Sequence, residues 1–226
     1  MFQRFLFLGL LMQVLCVPSA ALAQTPPSDP KCKDLEILKA EALNNDPKAL
    51  FELAVMYNKG ECVPHSWETG AQLMGTSAML GYPRAQYLSA GALHQNGRDD
   101  LALQLALKAA RQGDANAQTL TADLYMNGKG IVNDDDEAAK WAKRAAEQGD
   151  AVGQAMTGAC YLRGIGVKKD LVEADKWLFL ALRSKLNGND LMARQKALEA
   201  QLSKTDAIEA HRRADAWKAH PEPHNW

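Results

Sequence analysis

Residues 109–118 read AARQGDANAQ, and residues 145–154 read AAEQGDAVGQ. A ten-residue phrase written twice constrains the fold more than any bulk property, because it implies that a structural unit recurs. Extending the phrase in both directions gives four copies, anchored at Ala49, Ala85, Ala117 and Gly153 and spaced 36, 32 and 36 residues apart. A period in this range predicts a solenoid of helix pairs, in which each pair buries its apolar face only against its neighbours.

The third copy shows the grammar. Ala117, Leu120, Thr121, Leu124 and Tyr125 recur at the spacing of one buried helical face, predicting a first helix from Ala115 to about Asn127. Gly128 and Gly130 break it, since glycine enters the left-handed region without a Cβ penalty. Asp134–Asp136 then offer cap oxygens and negative charge to the second helix. That reading accounts for the three aspartates better than a calcium site does. The second helix turns Ala138, Ala139, Trp141, Ala142, Ala145 and Ala146 inward, and Gly149 stops it before Asp150 caps the next. The repeated phrase is therefore punctuation, ending one hairpin and opening another.

The same punctuation divides the chain. Residues 46–188 hold four repeats, 46–81, 82–113, 114–149 and 150–188. Asn45 stands where the later copies have glycine, so residues 34–45 read as the surviving helix of a decayed leading repeat, an N-terminal cap. Copy two has a shorter loop, HQNGRDD. The second helix of copy four is expected to run on past Lys185 to Asn187-Gly188. Residues 189–220 are read as two C-terminal capping helices, about Leu191–Leu202 and Lys204–His220, and 221–226 as a flexible tail.

In copy four Gln154, Gly158, Tyr161, Gly164, Gly166, Val167, Asp170, Ala174 and Trp177 spell a pattern that resembles the Sel-like repeat (SLR) family, tetratricopeptide-related α/α solenoids. The likeness covers roughly residues 46–182. It implies an all-α, right-handed superhelix of about four helix-turn-helix repeats, and a non-enzymatic scaffold that binds partner proteins on its concave face. In such solenoids the first helices line that face. The columns there that packing leaves free point to Lys48, Phe51, Val55, Arg84, Tyr87, His94, Asp123 and Met126 as partner-binding residues. Phe51 and Tyr87 also admit a plain packing role. The resemblance further implies an alternative, since cysteine-rich members have been described as binding or weakly hydrolysing β-lactams.

Copy one departs from the pattern. It carries Gly70 and Gly75 inside its second helix, and Cys62 replaces the loop's second glycine, so this hairpin is expected to be the softest. Where copy one has Leu53, later copies have Ser89, Thr121 and Thr157, hydroxyls able to bond back to the carbonyl four residues earlier.

The first 23 residues stand apart. Arg4, an apolar run from Phe5 to Val17 and the Ala21-Leu22-Ala23 end read as a signal peptide cut before Gln24. The run is shorter than the ~20 residues of a membrane span. Residues 24–33 then form a linker, and the mature chain is expected to be periplasmic or secreted. An oxidising compartment allows a Cys32–Cys62 disulfide and leaves Cys160 odd, on a packed helix face.

Little else carries chemistry. With 26 Lys and Arg against 27 Asp and Glu, no basic excess suits nucleic acid. The single S-x-x-K of a β-lactam enzyme, Ser28–Lys31, lies in a proline-rich linker without S-D-N or K-T-G elements. No cofactor fingerprint occurs. His220, Glu222 and His224 form the one histidine-rich tail, where chain end and prolines favour a loose segment over a metal site.

Overall fold

The computed structural model describes residue 32, residues 34–184 and residues 189–223. The expected leader, Ser28 and Lys31, the stop at Asn187-Gly188 and His224 lie outside the described residues. Within them eleven α-helices follow one another and there is no strand. None is long and apolar enough to cross a membrane. The chain divides into two compact units between Ser89 and Ala90, inside one helix.

The N-terminal unit contains α1 (Leu35–Leu43), α2 (Pro47–Lys59), α3 (Trp67–Met79) and the first half of α4 (Pro83–Gln95). Leu35, Leu38 and Ala42 of α1, Leu50, Leu53, Ala54 and Tyr57 of α2 and Leu73 of α3 make one core. Asp46 caps α2, its side chain accepting from the Ala49 N–H at 2.7 Å, with Pro47 in the first turn. Gly70 is a packing residue rather than a weakness. A Cβ there would overlap the Asn58 side chain on α2, so its absence lets α3 lie close. A disulfide joins Cys32 to Cys62, with Cα atoms 5.6 Å apart.

The C-terminal unit contains the rest of α4, α5 (Asp99–Arg111), α6 (Ala115–Met126), α7 (Asp135–Glu147), α8 (Ala151–Arg163), α9 (Leu171–Arg183), α10 (Asn189–Glu199) and α11 (Lys204–Ala216). Successive helices from α5 to α9 pack on one another, and α10 and α11 both pack on α9. The inward residues of the repeat pattern are buried, Trp141 at 7 % and Trp177 at 3 % exposure.

The punctuation works as a fused pair of caps. The Gly113 N–H donates to Ala110 O and the Asp114 N–H to Ala109 O; Gly149 and Asp150 repeat the pattern on Ala146 and Ala145. These are Schellman turns, which satisfy carbonyls at a helix end, and both glycines have φ of 94°. Asn45 takes the same role at φ 61°. The aspartates then turn their side chains forward, Asp114 onto the Ala117 N–H and Asp150 onto the Gly153 N–H. The glutamine of the phrase adds a tie: Gln118 Nε2 donates to Ala110 O across the seam, and Gln86 Nε2 to Ala78 O likewise.

Several elements differ from expectation. Helix α9 ends at Arg183, where the Ser184 hydroxyl bonds back to Leu180 O and closes the last turn. Helix α11 stops at Ala216, because Trp217 turns to extended backbone and lays its ring on Trp177 at 5.9 Å. Thr157 bonds back to Gly153 O as expected, but the buried Thr121 hydroxyl makes no hydrogen bond among the described residues. The tail is not loose as far as Pro223. Glu222 accepts two hydrogen bonds from Arg144 and one from Gln118, which holds residues 220–223 across α6 and α7.

Candidate functional site

The C-terminal unit carries a groove of about 590 Å³. Its floor is set by sequence: Ala155 and Ala159, one turn apart on α8, present methyl groups where longer side chains would fill the space. Met126 from α6 and Met156 and Leu162 from α8 flank them. Leu191 and Arg194 on α10 close one side, and Arg163 and Asp123 bring charge to the lining. Arg194 is paired with Asp190 at 2.8 Å. The thioethers give this surface adaptable shape, since methionine is unbranched and rotates freely.

Sequence reading named Asp123 and Met126, and both line the groove. Asp123 accepts a hydrogen bond from Asn127 Nδ2 at 2.9 Å, which fixes its carboxylate near the end of α6. His94 is committed elsewhere. Its Nδ1 pairs with Asp99 at the start of α5, bracing the short loop of copy two.

In the N-terminal unit Lys48 is exposed and Val55 half-buried on α2. Phe51 packs on Tyr82 with ring centroids 5.1 Å apart, in a cluster with Ala78, Ala85 and Met74, so its ring serves the core. Arg84 lies over the Tyr87 ring, 5.2 Å from its centroid, and both are half-buried.

The reading missed the contribution of α10. Leu191 and Arg194 reach the groove because α10 folds back along α9, a placement that no local pattern encodes. The small residues of the groove floor were the available signal, since alanine at two successive half-buried turns leaves a trough.

Cys160, the odd cysteine, is 1 % exposed, and burial pushes its thiol up to about 11. It is a core residue.

Known proteins can now be compared with this architecture. The Sel1 repeat profile matches residues 47–82, 83–114, 115–150 and 151–185. A search of curated proteins found no match. Among solved structures, a Sel1 repeat protein from Oxalobacter formigenes is similar with a TM-score of 0.64 and 31% identity, over 76% of this chain and 50% of that one. The protective antigen c5321, present in uropathogenic Escherichia coli strains and displaying an SLR fold, is similar with a TM-score of 0.59 and 25% identity. That likeness covers 86% of this chain and 46% of the antigen. The chain thus spans about half the length of these solved relatives. Four matched repeats, each beginning at the first residue of a hairpin's leading helix, make this chain a member of the Sel1 repeat family.

Proposed function

We propose that this protein is an exported, non-enzymatic scaffold that grips a partner protein by an apolar segment laid in the groove of the C-terminal unit. Sel1 repeat proteins are generally protein-interaction scaffolds, which supports the class of function. The observation that carries the reading is the groove itself, an apolar trough with an alanine floor and methionine walls on the first helices of copies three and four. Its arginines favour a partner segment with a carboxylate beside its apolar anchor. Export is supported by the leader-like N-terminus and by the Cys32–Cys62 disulfide.

Contact residues in this proposal are Asp123 and Met126 with Met156, Leu162 and Arg163. In the N-terminal unit, Lys48, Val55, Arg84 and Tyr87 remain proposed contacts, whereas Phe51 and His94 are assigned to packing and loop bracing.

Filling the trough tests the idea. Ala159→Trp should abolish retention of proteins captured by the wild type from an envelope extract, with helicity and thermal midpoint within the wild-type range. Retention of the same proteins by a folded Ala159→Trp variant would remove the groove from the mechanism.

A further inference from the structure

Three side chains, one each from α9, α10 and α11, converge at one place. Asp175 of α9 is fully buried, with 0 % of its surface exposed. Its Oδ2 accepts no hydrogen bond within the described residues. An ionised carboxylate in that position needs a positive partner or several donors. Facing it is His211 of α11, whose Nε2 is also without a hydrogen bond. That nitrogen stands 3.5 Å from Asp175 Oδ2 and 3.4 Å from Oε1 of Glu199, the last residue of α10.

These separations have a meaning. A direct N–H···O bond brings the heavy atoms to about 2.7–3.2 Å, and here neither contact closes to that range. Donors that share one tetrahedral cation, each about 2.0–2.2 Å from it, stand about 3.4 Å from one another. All three donor atoms lie within 4.8 Å of each other. Glu199 is 38 % exposed, so its side chain is the least confined of the three. We infer that Asp175, Glu199 and His211 form a binding site for a divalent transition cation, of which zinc suits the donors best. One imidazole nitrogen with two carboxylate oxygens matches zinc's ligand preferences rather than those of magnesium or calcium, which take oxygen donors.

The surroundings support the assignment. Gln195 Nε2 donates to Glu199 at 3.1 Å, an outer partner that orients this ligand, and stands 3.4 Å from the other carboxylate oxygen of Asp175. Phe179 stacks on the His211 ring with centroids 4.2 Å apart, fixing its plane. His211 Nε2 and Asp175 Oδ2 are buried, and an ion would enter past the Glu199 side chain, which is 38 % exposed. Three protein donors leave a fourth position for water or for a group from a partner. Because the ligands come from α9, α10 and α11, the ion would pin both capping helices to the last repeat and so stabilise the end of the array.

The test titrates Zn²⁺ alone into untagged full-length protein carrying His220→Gln and His224→Gln, which removes the tail histidines. Calorimetry should show one equivalent bound, weakened at least tenfold by His211→Gln and likewise by Glu199→Gln. The thermal midpoint should rise with zinc in the parent and rise less in both variants. Both positions are partly exposed, so folded variants are expected, and circular dichroism checks this. Absence of zinc binding by the parent, or binding that survives both substitutions in folded protein, overturns the site.

Discussion

Gly166 lies directly beneath the backbone carbonyl of Asp135, so near that a Cβ on the glycine would overlap the oxygen. Gly130 stands in the same relation to Asp99 one repeat earlier. In copies three and four the second loop glycine is therefore where the hairpin's loop seats on the start of the preceding hairpin's second helix. Its φ of 62° also favours glycine. Gly166→Ala should lower stability by about 2–4 kcal/mol, from left-handed strain plus overpacking. Gly97, with φ 70° and open space around it, separates the two effects. Gly97→Ala should cost only about 1 kcal/mol. Urea melts of the two variants check this, and equal losses would mean that the seat is soft.

Cys62 occupies the equivalent loop position of copy one, at φ 64°. Its side chain makes a covalent contact, to Cys32 just before α1. The closed loop spans 30 residues. In the chain-entropy account such a crosslink stabilises by about 3–4 kcal/mol. Cys32→Ser with Cys62→Gly relieves the strained φ while removing the bond. Net destabilisation of about 2–3 kcal/mol is expected. Hydrogen exchange would register it as faster exchange in α1 and α2, and unchanged protection there would contradict the assigned role.

The fold was legible because the repeat grammar is local. Glycine, cap and alanine stripe each declare themselves within a few residues, whereas the last repeat's end did not, since α9 stops at Arg183 rather than running on past Lys185. The candidate groove was half legible. Asp123 and Met126 lie on a face that periodicity predicts, but Leu191 and Arg194 arrive by a tertiary return of α10. Phe51 and His94 each carry a contact that periodicity alone does not disclose. A side chain left over from the packing stripe of its own helix is not thereby free, and each had a partner beyond that helix, Tyr82 and Asp99. The Asp175 cluster was invisible, since its members come from three helices and share no spacing.

Cys160 gives a prediction with a pH sign. Burial raises the thiol to about 11, disfavouring the thiolate, which is the reactive form. At pH 8 the native protein should therefore react negligibly with a thiol-specific disulfide reagent. In protein beginning at Gln24, which lacks Cys16, one thiol should appear when the disulfide is kept intact and the chain is denatured. Reactivity should stay low as pH rises through the ordinary cysteine range. A native titration midpoint near the ordinary value would show the residue to be open to solvent.

The last residues described form a strap over both copies of the repeated phrase. Glu222 holds Arg144 through two hydrogen bonds, at 2.9 and 2.7 Å, and its backbone N–H donates to Gln148 Oε1. Gln148 in turn donates to Gly113 O and Gln118 Oε1, while the His220 N–H donates to Glu147 O at 2.7 Å. The strap thus joins the end of one hairpin to the end of the next. Arg144 is 41 % exposed, so the ion pair is screened and contributes about 1 kcal/mol at most. Ending the chain at Ala219 removes the pair with its backbone bonds and should cost about 1–2 kcal/mol. Glu222→Gln should cost less than half of that and lose its effect in high salt. Thermal melts at low and high ionic strength distinguish the two variants. A truncated chain as stable as the intact one would show that these contacts add nothing beyond the turns that they cross.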